Sequence, residues 1–134
     1  MKLCSNTENI HVTAEILWQM LIHLPQNKPA TSIPHLTDWT ITDNGCCFTL
    51  SNMLHCTLQL QSQTPHSKVV YQIDTDKNIS AIATFLIQDN GADAQLTIEA
   101  ETNVPLFMQA MIRKPLEQAL NKSVVAIKTM AENQ

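Results

Sequence analysis

The chain has 134 residues, the usual length of one domain, and a domain of this size buries about two-thirds of its unfolded surface. We therefore predict a single domain over 1–134. The 12 acidic and 8 basic residues give a net charge of -4 with scattered lysines, which excludes a clustered basic surface for nucleic acid. Because no membrane-length apolar run and no signal-peptide stretch occurs, we predict a cytoplasmic protein without membrane insertion.

The chain contains only two glycines, Gly45 and Gly91, and each ends an Asp-Asn-Gly tripeptide. Asn-Gly between alternating apolar segments predicts a two-residue hairpin turn in which both central residues take positive φ. With both glycines assigned to turns, neither a P-loop nor a dinucleotide-binding glycine motif can be formed. The sequence thus argues against nucleotide cofactors held by those motifs.

The four cysteines are predicted to be free thiols, because their spacing does not resemble a small disulfide scaffold. Cys46 and Cys47 are adjacent on a predicted strand, so their side chains point to opposite faces and cannot share a metal. No Cys-x-x-Cys motif or helically spaced histidine pair occurs. We therefore predict no metal and no cofactor.

The N-terminal quarter of the chain combines strand and helix signals. Lys2–Val12 is predicted to form an edge strand, with apolar residues between polar ones. Thr13 is predicted to cap a helix over Ala14–Leu24 that ends at Pro25. The following proline-rich stretch leaves room for at most one short helical turn, over Ser32–Leu36.

Between Trp39 and Asn103 the apolar period changes from helical to two, which predicts six antiparallel strands separated by turns. The predicted strands are Trp39–Thr42, Cys46–Leu50, Leu54–Gln61, Val69–Ile73, Ile79–Gln88 and Gln95–Glu101. Ile79–Gln88 is apolar at both alternating sets of positions, which is typical of a central strand. Helical spacing returns over Pro105–Ala131, where Pro115 predicts a kink or a break near Lys114. The part after Pro115 is long enough to cover one face of the sheet.

This order resembles the helix-grip fold of the SRPBCC superfamily, which includes START-domain lipid carriers, polyketide cyclases and the birch-pollen allergen family. The string Val12–Leu21 resembles the opening strand-to-helix signature, and Met111–Leu120 is similar to the terminal helix of short stand-alone members common in Bacteroidota. The resemblance implies an α+β helix-grip fold in which a curved antiparallel sheet of about seven strands (β-α-α-β6-α) wraps around a long C-terminal helix.

In that superfamily the space between sheet and terminal helix is often a cavity, so the resemblance implies a small soluble protein that binds or carries an apolar or amphipathic small molecule. The residues predicted to contact such a ligand are Phe48, Cys56, Leu58 and Phe85 on the concave face and Phe107, Met108 and Met111 at the entry to the last helix. The alternative for all of them is that they simply fill the core.

Two other functions stay open. A cyclase- or dehydratase-like enzyme would need an inward-facing acid or base, but alternation places His55 and Glu99 on solvated faces, and no Ser-His-Asp or paired-carboxylate spacing occurs. We therefore predict no catalytic residue. An interaction domain would instead act through its surface, and the sequence does not predict the oligomeric state.

Overall fold

The computed structural model describes residues 1–27, 36–50 and 52–133. In chain order the elements are β1 (Lys2–Cys4), β2 (Glu8–Ile10), α1 (Ala14–Ile22), a 3-10 helix (Leu24–Asn27), β3 (Leu36–Ile41), β4 (Gly45–Leu50), β5 (Leu54–Thr64), β6 (Lys68–Thr75), β7 (Ser80–Asn90), β8 (Asp93–Thr102) and α2 (Leu106–Glu132). The helical turn predicted over Ser32–Leu36 lies outside the described residues, except for Leu36, which begins β3.

All eight strands belong to one antiparallel sheet, in the order β1-β8-β7-β6-β5-β4-β3, with β2 also paired to β8. The strands from β3 to β8 pair consecutively, because every connection between them is a hairpin. This architecture confirms the predicted α+β helix-grip fold, with its curved sheet and long C-terminal helix. The sheet has eight strands instead of about seven because the predicted N-terminal strand is divided.

Ser5 divides the N-terminal strand. Its backbone N–H donates to the carbonyl oxygen of Ile98 (2.8 Å), and its hydroxyl accepts from the backbone N–H of Ile98 (2.9 Å). The hydroxyl thus replaces the backbone carbonyl that a regular strand would present. Ser5 is buried, so this substitution keeps a buried polar group of β8 hydrogen-bonded.

The two Asp-Asn-Gly segments do form hairpin turns, but the predicted backbone conformation is wrong. In the first, the N–H of Thr42 donates to the carbonyl of Gly45 (2.9 Å), and Gly45 lies in β4 without positive φ. In the second, Gly91 alone of its turn has positive φ (82°) and stands first of the two loop residues between Asn90 and Asp93. This position is the one that glycine takes in a type II′ turn.

The edge strand β3 is irregular. Its pairing with β4 shifts register between Thr37 and Thr40, and Asp38 within the shift has a φ of 58°. A bulge with a left-handed residue bends the strand locally and leaves part of it unpaired. The outer edge of the sheet is therefore not a straight ladder.

Helix α1 begins at the predicted cap, where the hydroxyl of Thr13 accepts from the backbone N–H of Ile16 (3.3 Å). It ends at Ile22, earlier than predicted. Pro25 has no N–H to donate to the carbonyl of Leu21, four residues back, and that carbonyl accepts the buried Tyr71 hydroxyl at 2.6 Å. The bond joins the end of α1 to the middle of the sheet.

Helix α2 runs unbroken from Leu106 to Glu132, so the two-piece form of the prediction is wrong. Pro115 is exposed, and water can therefore bond the carbonyl that the proline leaves without a donor. The buried residues all lie in the C-terminal half of the helix, which packs against β1, β2 and β8. No helix in the described part of the chain is both long and apolar enough to cross a membrane.

Candidate functional site

A cavity of about 170 Å³ lies between the inner face of the sheet and the C-terminal half of α2. Six strands, the 3-10 helix and α2 contribute to its wall. The lining residues are Leu24, Trp39, Phe48, Leu58, Ile73, Ala83, Phe85, Ile98, Leu120, Ser123, Ala126 and Ile127. Trp39, Phe48, Ile73 and Ser123 are partly exposed whereas most others are buried, so the cavity opens on their side.

Two alanines explain why this space is not filled by side chains. Ala83 lies on β7 among larger inward residues, and Ala126 lies on the covering helix. Both line the cavity and both are buried. A methyl group at each position leaves volume that a leucine or phenylalanine would occupy, because side chains in protein interiors are otherwise closely packed.

Aromatic rings form a large part of the wall. The Trp39 and Phe48 rings stack with centroids 5.4 Å apart and planes 13° apart, and the Trp39 indole N–H donates to the Pro25 carbonyl at 2.8 Å. Deeper in the core, Phe85 meets Tyr71 edge to face at 5.9 Å. These contacts restrict the orientations that the rings in the described wall can adopt.

The described part of the wall is almost entirely apolar. None of the lining residues has a titratable side chain, and Ser123 is the one with a hydroxyl. The Ser123 hydroxyl donates to the carbonyl oxygen of Ala119 in α2 at 2.8 Å. A ligand in this cavity would therefore be desolvated on all lined sides and would meet one oxygen acceptor.

The structure brings three of the residues predicted to contact a ligand into the wall: Phe48, Leu58 and Phe85. Cys56 shares the inner face of β5 with Leu58 and is buried, but it lies outside the lining, with its thiol 3.8 Å from the carbonyl of Leu54. Whether these residues bind a ligand stays a prediction.

The Met-rich entry to α2 lies away from the cavity. Phe107 and Met111 are 81% and 75% exposed, and Met108 is half-buried; none of the three lines the cavity. Leu120 lies nine positions after Met111. At about 100° per residue these nine steps amount to two and a half turns, which places the two side chains on opposite sides of the helix. The placement expected for Phe107 and Met111 is therefore corrected: they face outward.

Several lining residues were absent from the prediction. The wall from α2 comes from Leu120, Ser123, Ala126 and Ile127, and Trp39 comes from the edge strand. The apolar spacing of the C-terminal half of α2 already indicated which side faces the sheet. The same apolar spacing, continued toward the N-terminus of α2, places Met111 on the side of the helix opposite to the cavity.

The titratable side chains that the structure describes lie outside the lining of the cavity. As predicted, His55 is exposed, with Nδ1 3.2 Å from the Thr49 hydroxyl, and Glu99 lies on the outer face, 3.6 Å from the Lys2 ammonium. Within residues 1–27, 36–50 and 52–133, no three His, Cys, Asp or Glu side chains group as a metal site requires.

Two buried side chains make the free energy of unfolding depend on pH in the alkaline range. Burial, with a smaller contribution from neighbouring Cys47, raises the pKa of Cys46 to about 12 from an ordinary value of 9.0, and burial also raises the pKa of Tyr71. The stability contributed by the Cys46 thiol is complete below pH 9 and is lost as pH rises toward 12, because only the unfolded chain ionises there.

We therefore expect the free energy of unfolding, measured by urea denaturation, to fall steadily above pH 9. Cys46→Ala should reduce the steepness of that fall relative to the wild type. Equal pH dependence in the wild type and Cys46→Ala would contradict the assignment.

The sheet, the long covering helix and the cavity between them define a helix-grip domain. No family model and no curated protein matches the sequence. Solved structures do match, along nearly the whole chain. A conserved protein from Geobacillus kaustophilus is 12% identical with a TM-score of 0.76, and the match covers 95% of this chain and 93% of that one.

A START superfamily protein from Mycobacterium smegmatis is 12% identical with a TM-score of 0.71, and the match covers 98% of this chain and 97% of that one. Norcoclaurine synthase from Thalictrum flavum is 11% identical with a TM-score of 0.73, over 100% of this chain and 87% of the synthase. The chain therefore has a START-like helix-grip fold. At these identities the likeness concerns the fold alone.

Proposed function

We propose that this protein binds an apolar or amphipathic small molecule in the cavity between the sheet and α2. The observation that carries the proposal is an apolar cavity of about 170 Å³ beneath the covering helix. An apolar ligand that enters such a space removes its own surface and that of the wall from water. This burial favours binding by about 25 cal/mol for each Å² of apolar surface. The contacts that Trp39 makes with Phe48 and with the Pro25 carbonyl are already formed without a ligand, which limits the ordering cost of binding.

The cavity volume limits the size of the ligand. A cavity of about 150 Å³ lined by aliphatic and aromatic side chains can bind benzene, whereas the pockets that bind drug-sized ligands have volumes of about 300–1,000 Å³. The volume of about 170 Å³ therefore suits the enclosed part of a ligand with one ring or a short alkyl chain. Any larger portion would extend through the side that opens at Trp39 and Phe48.

The structural neighbours support small-molecule binding by this fold. One of them is a point mutant of the Thalictrum norcoclaurine synthase in complex with a transition-state analogue, with a TM-score of 0.70 and 13% identity. An acid–base reaction like that of a cyclase or dehydratase needs a titratable group beside the ligand, and the described lining offers none. Binding is therefore proposed in preference to catalysis.

A blocking variant tests the proposal. Ala126→Leu places a larger side chain in the cavity, and Ala110→Leu makes the same change at an exposed position of the same helix. In a thermal-shift and NMR titration with toluene, phenol and hexanoate, we expect the wild type and Ala110→Leu to bind at least one probe. Ala126→Leu should weaken that binding more than tenfold.

Two results would count against the proposal. The first is the absence of binding by the wild type to any single-ring or short-chain probe. The second is unchanged binding by Ala126→Leu, which would place the ligand elsewhere on the protein.

A further inference from the structure

We propose that the cavity selects a neutral, single-ring aromatic ligand that carries one O–H or N–H donor, and that the oxygen of Ser123 accepts this hydrogen bond. The inference rests on the proposed binding function and adds the chemical class of the ligand. It follows from three properties of the described wall: its acceptor, the absence of a free donor or charge, and its aromatic stack.

The acceptor is set by the geometry of α2. The hydroxyl hydrogen of Ser123 is committed to the Ala119 carbonyl, four residues earlier, at 2.8 Å. A hydroxyl oxygen has two lone pairs, and this bond uses neither of them. Because Ser123 is half-buried in the wall of the cavity, its oxygen can accept a hydrogen bond from a ligand inside it.

The described wall has no free donor to offer in return. The indole N–H of Trp39 is bonded to the Pro25 carbonyl, and the hydrogen of Ser123 is bonded within α2. No lining residue carries a charge. A carboxylate enclosed by the lining residues would lose its hydration without compensation, and a ligand with only acceptors would leave them unsatisfied there. A single donor, by contrast, can be paired.

The wall also favours a ring over an alkyl chain. Trp39 and Phe48 stack in nearly parallel planes beside the opening, and Phe85 provides a third ring surface in the same wall. Aromatic rings in contact gain about 0.5–1.5 kcal/mol beyond the burial of area. A volume near that which holds benzene leaves room for one ring with a small substituent.

Phenol and toluene test the inference, because they have almost the same shape and differ in one donor. We expect Ser123→Ala to weaken phenol binding about 5- to 10-fold, consistent with the loss of about one hydrogen bond, and to leave toluene binding within 2-fold. Thr129→Ala is the matched control. It removes a hydroxyl bonded in the same way to the carbonyl four residues back (3.1 Å), at an exposed position outside the cavity.

Titration by NMR, with dissociation constants for phenol, toluene and benzoate, separates the outcomes. Specific weakening of phenol by Ser123→Ala, with benzoate excluded, would support the inference. The inference is overturned if toluene binds while Ser123→Ala leaves the dissociation constant for phenol unchanged. It is also overturned if benzoate binds as tightly as phenol. In both cases the proposed binding function stands. If no aromatic or aliphatic probe binds the wild type, both fail.

Discussion

Replacing Gly45 by alanine is expected to reduce the free energy of unfolding by about 3–5 kcal/mol, among the largest effects of any single substitution. A Cβ at this position would overlap the carbonyl oxygen of Leu58 and lie 2.8 Å from its carbonyl carbon. These atoms belong to the backbone of β5, which is paired on both sides, so they cannot move without breaking the ladder. Gly45 is therefore required because β4 and β5 approach too closely here to leave room for a Cβ.

Gly91→Ala is the matched control for this experiment. Gly91 has a φ of 82°, but no atom of the described residues lies within 4 Å of the position that a Cβ would take there. The cost is therefore conformational alone, about 1–2 kcal/mol. Urea denaturation of both variants at neutral pH should show the Gly45 substitution as clearly the more damaging. Equal losses would contradict the distinction between a steric and a conformational role.

Phe85→Ala is expected to destabilise the protein by about 3–4 kcal/mol. Phe85 is 7% exposed, contacts Tyr71 edge to face and lines the cavity. Its truncation removes buried apolar surface and enlarges the cavity, and neighbouring side chains can only partly fill the added space. Chemical denaturation followed by tryptophan fluorescence measures the loss.

Phe107→Ala provides the control, since Phe107 is 81% exposed on the outward side of α2. Its truncation should change stability by less than about 0.5 kcal/mol. In Phe85→Ala, the larger cavity should also accept a two-ring aromatic such as naphthalene, whose binding would restore part of the lost stability. A similar destabilisation by both truncations would contradict the assignment of Phe85 to the core and Phe107 to the surface.

The sequence was sufficient for the architecture because period and order are local signals. Two-residue alternation and the turns between segments located the strands from β4 to β8, and Thr13 marked the start of α1. The positions of both Asp-Asn-Gly turns were also predicted. Their backbone conformation was not, because the tripeptide favours positive φ whereas strand pairing decides it: Gly45 serves the contact with β5.

The sequence predicted some of the cavity-lining residues on the strands but none of those on α2. Strand alternation gave the inward direction of Leu58 directly, and Phe48 and Phe85 were also predicted on the concave face, where the structure places them in the wall. On α2, composition suggested Met108 and Met111, but the direction of a helical side chain depends on phase relative to the buried stripe. That stripe is set by Leu120 and Ile127, which lie about 2.5 to 5 turns further along the helix.

The cavity itself could not be predicted, because a void depends on how several distant segments approach one another. A small inward side chain such as that of Ala83 can either leave a space or let the helix come closer. The partner across the space, Ala126, is 43 residues away in sequence. Only the distance between sheet and helix decides between a filled core and a cavity, and no local pattern encodes that distance.

The irregular margins of the sheet bear on its tendency to pair with the sheet edge of another chain. A long, straight outer strand presents unpaired N–H and C=O groups on which another chain can extend the sheet and begin to aggregate. Here one margin is bent by the left-handed Asp38 in β3, and the opposite margin is broken into β1 and β2 at Ser5. The described margins thus lack a continuous template, which discourages edge-to-edge polymerisation while leaving the inner face intact.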